Sequence, residues 1–519
     1  PTPPQPASSS ASTNSAAPPS PSPPSTSSPS PPDPMPSIRS NIILNGLNTI
    51  TGIIFPIITF PYAARILLPQ GIGIINFQLA IINYIVLLTS LGIPLYGVKE
   101  IAKHQDNKLQ RDKVTIELLV LSFLLCFLGY LIVWMLASFV PEIRQHAVLF
   151  WILSLTIAFN TLGVSWFYQG VEDFKFITVR AIVIRTLSAA SLFIFVRNSS
   201  DLIIYGIIIV CSTVGNNIIN FIHLRKYLRI DRNTLSQLQI VRHIRPALKV
   251  FVLNLIISLY VQLNSIMLGF MSSETAVGYF TAGNKIIMIC LTLIGSITTV
   301  LLPRCSNLYE TGRIEEFANI IKKTLRLVIG LALPIMAGIM VLAHPLIILF
   351  CGENFLPSIP ILYWDATLIL FVSITGVLGI QALYSMEKVN IVICSVAAGA
   401  AINIVLNIIF IPIYNATGAA IGTFAAELGV LIVQLLLGKK HLPFNYSAVR
   451  WQNYVFATIT MTAALLIIKI HTPSHISAFV QFTIGVLIGA AIYILILWWR
   501  KDELFHEMTR HFYRRKISL

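Results

Sequence analysis

Asn41, Asn45 and Asn48 stand four and three residues apart in an otherwise apolar run, and Gly52, Pro56 and Thr59 continue the series. On a helix that spacing makes one polar stripe from end to end. An unpaired amide in hydrocarbon costs several kcal/mol, so the stripe must face another helix or a water-filled cavity. Arg65 closes the run, where it either anchors at the membrane interface or faces the cavity. A later run repeats the pattern with Asn254, Ser258, Gln262 and Ser265 on one face.

Charged residues inside apolar runs are the next candidates. Lys285, with Asn284 beside it, lies in the first third of its run. A charge there is costly unless it faces a polar cavity, where it would hold phosphate or an ion-pair partner, or snorkels to the interface. Asp365 and Glu427 are candidate ion-coupling acids. Against that role, Asp365 follows Tyr363 and Trp364 as a helix-start residue in an aromatic belt would. Glu427 could instead be a protonated acid bonded between helices. Arg180 and Arg185 are five residues apart, so they point about 140° apart on a helix. They cannot both face one cavity, and lipid phosphate is the natural partner for one of them. Gly418 and Gly422 form a GxxxG pair read as close helix packing. Asn403 and Asn407, one turn apart, are read as interhelical hydrogen bonds. Glu172 and Asp173 could pass for paired catalytic carboxylates, but no nucleophile or metal ligand accompanies them and a solvated loop explains them.

The elements that must position these residues follow from composition. The chain has 519 residues, of which 55% are hydrophobic and 11% charged, with a mean hydropathy of +0.78. Repeated apolar runs of roughly twenty residues make it an all-α polytopic membrane protein. About fourteen spans are expected, near 41–66, 73–96, 116–140, 147–166, 178–196, 202–224, 250–271, 279–302, 327–351, 362–385, 391–411, 417–437, 453–470 and 478–499. The net charge of +15 reads as basic inner loops rather than a nucleic-acid surface. With the N-terminus inside, the inner loops carry Lys99, Lys103, Arg225, Arg242, Lys322, Lys388, Lys439 and Arg500 among others, while the outer side has little beyond Arg65, Arg144, Arg197 and Lys469. Both termini are therefore expected in the cytoplasm, and the short outer loops leave no room for a separate active domain. The six cysteines form no CxxC pair and read as small apolar residues.

The expected organisation is a Pro/Ser-rich disordered extension over 1–34, ahead of a natural-looking start at Met35. A six-helix lobe over 35–228 follows, then a basic connector over 229–249 and a second six-helix lobe over 250–440. Two extra helices over 441–499 and a basic tail over 500–519 complete the chain. The lobes read as a parallel repeat around a central cavity. After each polar-striped span comes a glycine-led aromatic stretch, Gly73 to Phe77 and Gly278 to Phe280, and each following helix ends at a proline, Pro94 and Pro303.

The stretches FPYAARILLPQGIGIINF (60–77), WFYQGVEDFKFITVR (166–180), NSIMLGFMSSETAVGYFTAGNK (264–285), LLPRCSNL (301–308) and GAAIGTFAAE (418–427) carry a resemblance. In their order and spacing, from Met35 to about residue 440, the chain resembles the polysaccharide flippases of the multidrug/oligosaccharidyl-lipid/polysaccharide exporter superfamily. The resemblance implies a bacterial inner-membrane transporter that moves undecaprenyl-diphosphate-linked oligosaccharides to the outer leaflet by alternating access. It implies no cofactor and no catalysis. Membrane lipid, a polysaccharide polymerase and chain-length machinery are the expected partners, and nucleic acid is not. The cavity candidates would be Asn41, Asn45, Asn48, Arg65, Asn254, Gln262, Asn284 and Lys285. The two extra helices keep the related peptidoglycan-precursor flippases open as an alternative, and a drug/cation antiporter is the other. No GxxxxGK[ST] loop is present to bind ATP, and no HExxH or GxSxG motif appears.

Overall fold

The computed structural model describes residues 38–171, 173–228, 238–445, 449–473, 476–503 and 505–507. The 1–34 extension, most of the connector (229–237) and most of the basic tail lie outside the described residues. So do several side chains within helices, among them those of Asn41, Asn45, Asn48, Asn254 and Ser258. The described residues form helices and their connections. Twelve of these helices are long and apolar enough to cross a membrane, and the chain is a multi-pass membrane protein.

The first helix, α1, runs Ile38–Ser90 and contains two of the expected spans. They are separated by a kink at Leu68 (φ 61, ψ 173) rather than a loop. Pro69 supplies the cause, since a proline disfavours the helical conformation of the residue before it and lacks the N–H to continue the ladder. The chain continues through α2 (Ile93–Lys103), α3 (Lys108–Phe139), α4 (Pro141–Arg144), α5 (Ala147–Thr161), α6 (Ser165–Gly170), α7 (Phe174–Phe195) and α8 (Leu202–Leu224). Side-chain caps set several starts: Asn107 Oδ1 accepts from Gln110 N ahead of α3, and Asp173 Oδ1 accepts from Phe176 N ahead of α7.

The second half begins with α9 (Val241–Met271) and α10 (Glu274–Glu310), the latter capped by Ser273. Then come α11 (Ile314–Val341), α12 (Ala343–Phe350), a 3₁₀ turn (Glu353–Ser358), α13 (Ile359–Gly376) and a π-helical turn (Val377–Tyr384). Helices α14 (Val389–Tyr414), α15 (Ala416–Gly438), α16 (Gln452–His471) and α17 (Ala478–Trp499) follow. The end of the bundle bearing the Lys- and Arg-rich connections is called here the basic end, and the opposite one the far end.

The core does not stop at the boundary between the halves. Phe60, Ala63, Ala64 and Leu67 of α1 are buried in one cluster with Ile286 and Ile287 of α10, Phe355, and Ile369 of α13. At the basic end Gly92 (φ +75) packs so closely that a Cβ would lie 2.7 Å from Ala247 O and from Phe251 N of α9. Only glycine meets both demands.

Candidate functional site

The halves are tied together at the far end. Arg65 Nη2 donates to the carbonyls of Leu349 (2.6 Å) and Ile348 (3.3 Å), which end α12. A guanidinium suits that place because the last carbonyls of a helix lack internal partners and carry its negative pole. His146 Nε2 lies 3.1 Å from a carboxylate oxygen of Glu274 at the start of α10. Beyond the two readings of Arg65, the structure shows a tie between the halves, with the side chain exposed.

Toward the basic end α1 turns an apolar face outward. Gly46, Leu47, Ile50, Ile54, Ile57 and Ile58 are exposed, whereas Phe60, Ala63 and Ala64 beyond them are buried. The described members of the polar stripe, Gly52, Pro56 and Thr59, are half-buried on the other side of the helix. Arg185 of α7 meets that side. Its Nη1 donates to Thr51 Oγ1 at 2.7 Å, and its guanidinium lies 3.5 Å from where a Cβ on Gly52 would be. Gly52 of the stripe, with Thr51 beside it, thus receives a cation that the spacing alone did not announce.

On α10 the positions 285, 288, 292 and 296 fall on one helical face, and Lys285, Met288, Thr292 and Ser296 are all exposed there. Among the described residues no carboxylate stands within ion-pair distance of Lys285. Asn284 is half-buried and turns toward α13, where its neighbour is Asp365. Asp365 is 0% exposed and neither oxygen has a close, well-aligned hydrogen bond. The helix-start reading of Asp365 does not hold, because α13 begins at Ile359 and the acid sits inside the helix. Tyr363 and Trp364 do lie outward, as a belt would require.

Glu427 is buried on α15, one turn beyond Thr423. Thr423 belongs to a four-residue polar cluster between α9, α14 and α15. Asn264 Nδ2 donates to Thr423 Oγ1 (2.8 Å), and Asn407 Nδ2 donates to Asn264 Oδ1 (2.7 Å) and Asn403 Oδ1 (3.1 Å). Asn407 therefore bonds between helices, as does Asn403, whose Nδ2 donates to Thr423 Oγ1 at 3.5 Å. Gly418 and Gly422 are what allow the approach, since a Cβ would lie 2.1 Å from Phe410 O and 2.3 Å from Asn407 Oδ1. Gln262, the stripe member expected on α9, is half-buried; the neighbouring Asn264 is the residue that enters the cluster.

At the basic end a second cluster joins the halves. Glu117 of α3 is fully buried and accepts from Gln239 N (2.7 Å), from Arg242 and from His243 Nε2 (2.8 Å). His243 Nδ1 meets Tyr96 Oη at 2.8 Å. Sequence reading had no signal for this group beyond the basic character of the connector.

A polysaccharide biosynthesis protein family model matches residues 38–309. A candidate O-antigen transporter of Escherichia coli (strain K12) is 30% identical over 410 residues, covering 77% of this chain and 96% of that one. The chain belongs to the polysaccharide biosynthesis protein family. Its fold matches the Lipid II flippase MurJ in an inward closed conformation, with a TM-score of 0.69 at 15% identity over 89% of this chain and 99% of that one. It also matches an inward-facing multidrug resistance MATE family transporter of the MOP superfamily, with a TM-score of 0.55 at 17% identity over 79% and 99%. These two likenesses concern the fold.

Proposed function

We propose that this chain is a flippase. It carries undecaprenyl-diphosphate-linked oligosaccharide repeat units from the inner to the outer leaflet of the bacterial cytoplasmic membrane, by alternating access between two six-helix lobes. Its basic end and both termini face the cytoplasm. The observation that carries the reading is the exposed face of α10, where Lys285 stands in line with Thr292 and Ser296 inside a membrane span. A cation kept there with no carboxylate partner among the described residues suits a hydrated cavity that receives phosphate. The names of the O-antigen transporter and Lipid II flippase relatives support a lipid-linked glycan as cargo. No chemical bond in that cargo needs to change, so the chain acts as a transporter and not as an enzyme.

In this reading the opening faces the cytoplasm, which the far-end contacts through Arg65, His146 and Glu274 support. Arg185 at the polar stripe and Lys285 on α10 would meet the diphosphate, and the half-buried amides of Gln262 and Asn284 would meet sugar hydroxyls. Asn41, Asn45, Asn48 and Asn254 complete the polar walls. A separate apolar cavity of about 580 Å³ between α11, α16 and α17, lined by Leu327, Leu331, Met461, Leu465 and Val486, offers surface for a polyprenyl chain. Asp365 and Glu427 are the candidate coupling acids.

Depletion in the parent cell tests this reading. Lipid-linked repeat units should accumulate on the cytoplasmic side and be cleared by the wild-type chain but not by Lys285→Ala expressed to the same level. Normal export by that variant would remove Lys285 from the route, and normal export after depletion would remove the function.

A further inference from the structure

On the far side of α7 from Arg185 lies a crevice that the transport reading does not use. Arg180 is five residues earlier, so it points about 140° away from the helix face that meets α1. It is only 8% exposed, which excludes the simple snorkelling expected of a terminal arginine. Its Nε donates to Asn216 Oδ1 of α8 at 3.1 Å, and its guanidinium carbon stands 5.3 Å from the centre of the Phe176 ring. Nη1 is buried and has no hydrogen-bond partner.

The rest of the crevice has a built character. His223 of α8 stacks on Phe176 with ring centres 4.1 Å apart, and its Nδ1 is likewise buried without a partner. Among the described residues the acid lining the crevice is Asp173, which is already engaged: one oxygen caps α7 at Phe176 N and the other accepts from Tyr227 Oη at 3.2 Å. The open volume is about 520 Å³ and is bounded also by Val179, Val183 and Ile219. Val179 (53% exposed), Val183 (50%) and Leu187 (58%) form an outward apolar row at i, i+4 and i+8. Arg180 and His223 sit within two residues of the ends of their apolar spans, Thr178–Phe195 and Leu202–Leu224. That is the depth of the phospholipid headgroups.

A buried guanidinium with a spare N–H calls for an anion, because leaving such a group unmet is costly. The polar groups lie at headgroup depth and the apolar row runs from them into hydrocarbon, so the anion should carry acyl chains. We propose that this crevice binds the phosphate of a glycerophospholipid from the basic-side leaflet. Arg180 Nη1 and His223 Nδ1 donate to its oxygens, and the chains lie along Val179, Val183 and Leu187. The site is separate from the transport route, and it serves to hold α7 and α8 in register with the membrane surface.

Native mass spectrometry of the full chain, delipidated and titrated with phosphatidylglycerol, tests the proposal. Wild type should retain one lipid that Arg180→Gln holds at least about tenfold more weakly, the loss expected for a charge-assisted contact. Val183→Trp, at an exposed position, should plug the crevice to the same effect without touching Arg180, which covers the case of a poorly folding Arg180 variant. Arg225→Gln, on the exposed surface nearby, should bind as wild type does. Unchanged retention in both crevice variants overturns the proposal. Displacement of the lipid by millimolar inorganic phosphate would make this a phosphate site without lipid selectivity, and displacement by equimolar undecaprenyl diphosphate would make it a substrate site; either result also overturns it. None of these readouts depends on transport, so a failure here is distinct from a failure of the flippase reading.

Discussion

Gly73 and Gly278 each rest against the backbone of the other half. A Cβ on Gly73 would lie 1.6 Å from Glu274 O, and one on Gly278 would lie 1.9 Å from Pro69 O. These are the two glycines that open the repeated aromatic stretches, so the resemblance between the halves in sequence becomes a crossing between them in space. Backbone meets backbone there, and neither side can step aside as a side-chain tip could.

Alanine at either position should therefore be costly. Gly73→Ala or Gly278→Ala is expected to lower stability by about 1–3 kcal/mol, the range for forced overpacking, and to depress export. Gly338→Ala, where nothing lies within 4 Å, is the control. Thermal unfolding in detergent reads the difference, and equal midpoints for all three variants would contradict the crossing.

Arg65 makes a prediction at the same end. Arg65→Ala frees two carbonyls of α12 and should cost about 0.5–1.5 kcal/mol, the range for an exposed cation at a helix C-terminus. Arg65→Lys restores the charge but not the fork, and should recover only part. Export rates and melting points of the two variants should rank wild type, lysine, alanine; an alanine variant equal to wild type would show the tie to be idle.

The amide cluster offers a coupled test. Gly422→Ala pushes a methyl into Asn407 Oδ1, and Asn407→Ala removes that oxygen together with two hydrogen bonds. Each single change should destabilise by about 1–3 kcal/mol. The double variant should lose less than their sum, since the collision disappears. Strict additivity in a double-mutant cycle would place the strain elsewhere.

At the basic end Glu117→Ala leaves Arg242 and His243 without their shared acceptor. A loss of about 1–3 kcal/mol is expected, because buried His243 loses its acceptor while Arg242, 40% exposed, can turn to solvent, and Glu117→Gln should recover only part because an amide oxygen is a weaker acceptor than a carboxylate. Unfolding midpoints decide this, and a glutamine variant as stable as wild type would mean the charge is unnecessary.

The proposed coupling acids stand or fall on pH. Asp365→Asn and Glu427→Gln should each be expressed, and at least one should flatten the pH dependence of export measured in vesicles. Two variants that retain the wild-type profile would end the case for both residues.

The spans were legible in the sequence because hydropathy is a local property, but hydropathy separates 41–66 from 73–96 without telling the kink at Leu68 from a loop. The stripe was legible as a face, but the approach of Arg185 to Thr51 and Gly52 on α1 was not. That pairing joins positions 134 residues apart, and spacing reports only which side chains of one helix lie together. The same reason hid Asn264, which was overlooked in favour of Gln262 until α14 and α15 were seen packed against it. Asp365 was misplaced at a helix start because the 3₁₀ turn before α13 moves the helix boundary back. His243 and Glu117 were invisible as a pair, being 126 residues apart in sequence.

The kinked α1 has a mechanical consequence. Its first arm, from Ile38 to the bend at Leu68, is about 45 Å long at 1.5 Å per residue, and its far end is clamped beside the glycine crossing. The arm is a lever with its fulcrum at one tip. A turn of about 10° at that fulcrum sweeps the free tip through about 8 Å, from the same helix rise, while the glycines themselves hardly move. A contact too tight to admit one methyl group can thus act as the pivot for a stroke wide enough to pass a sugar ring.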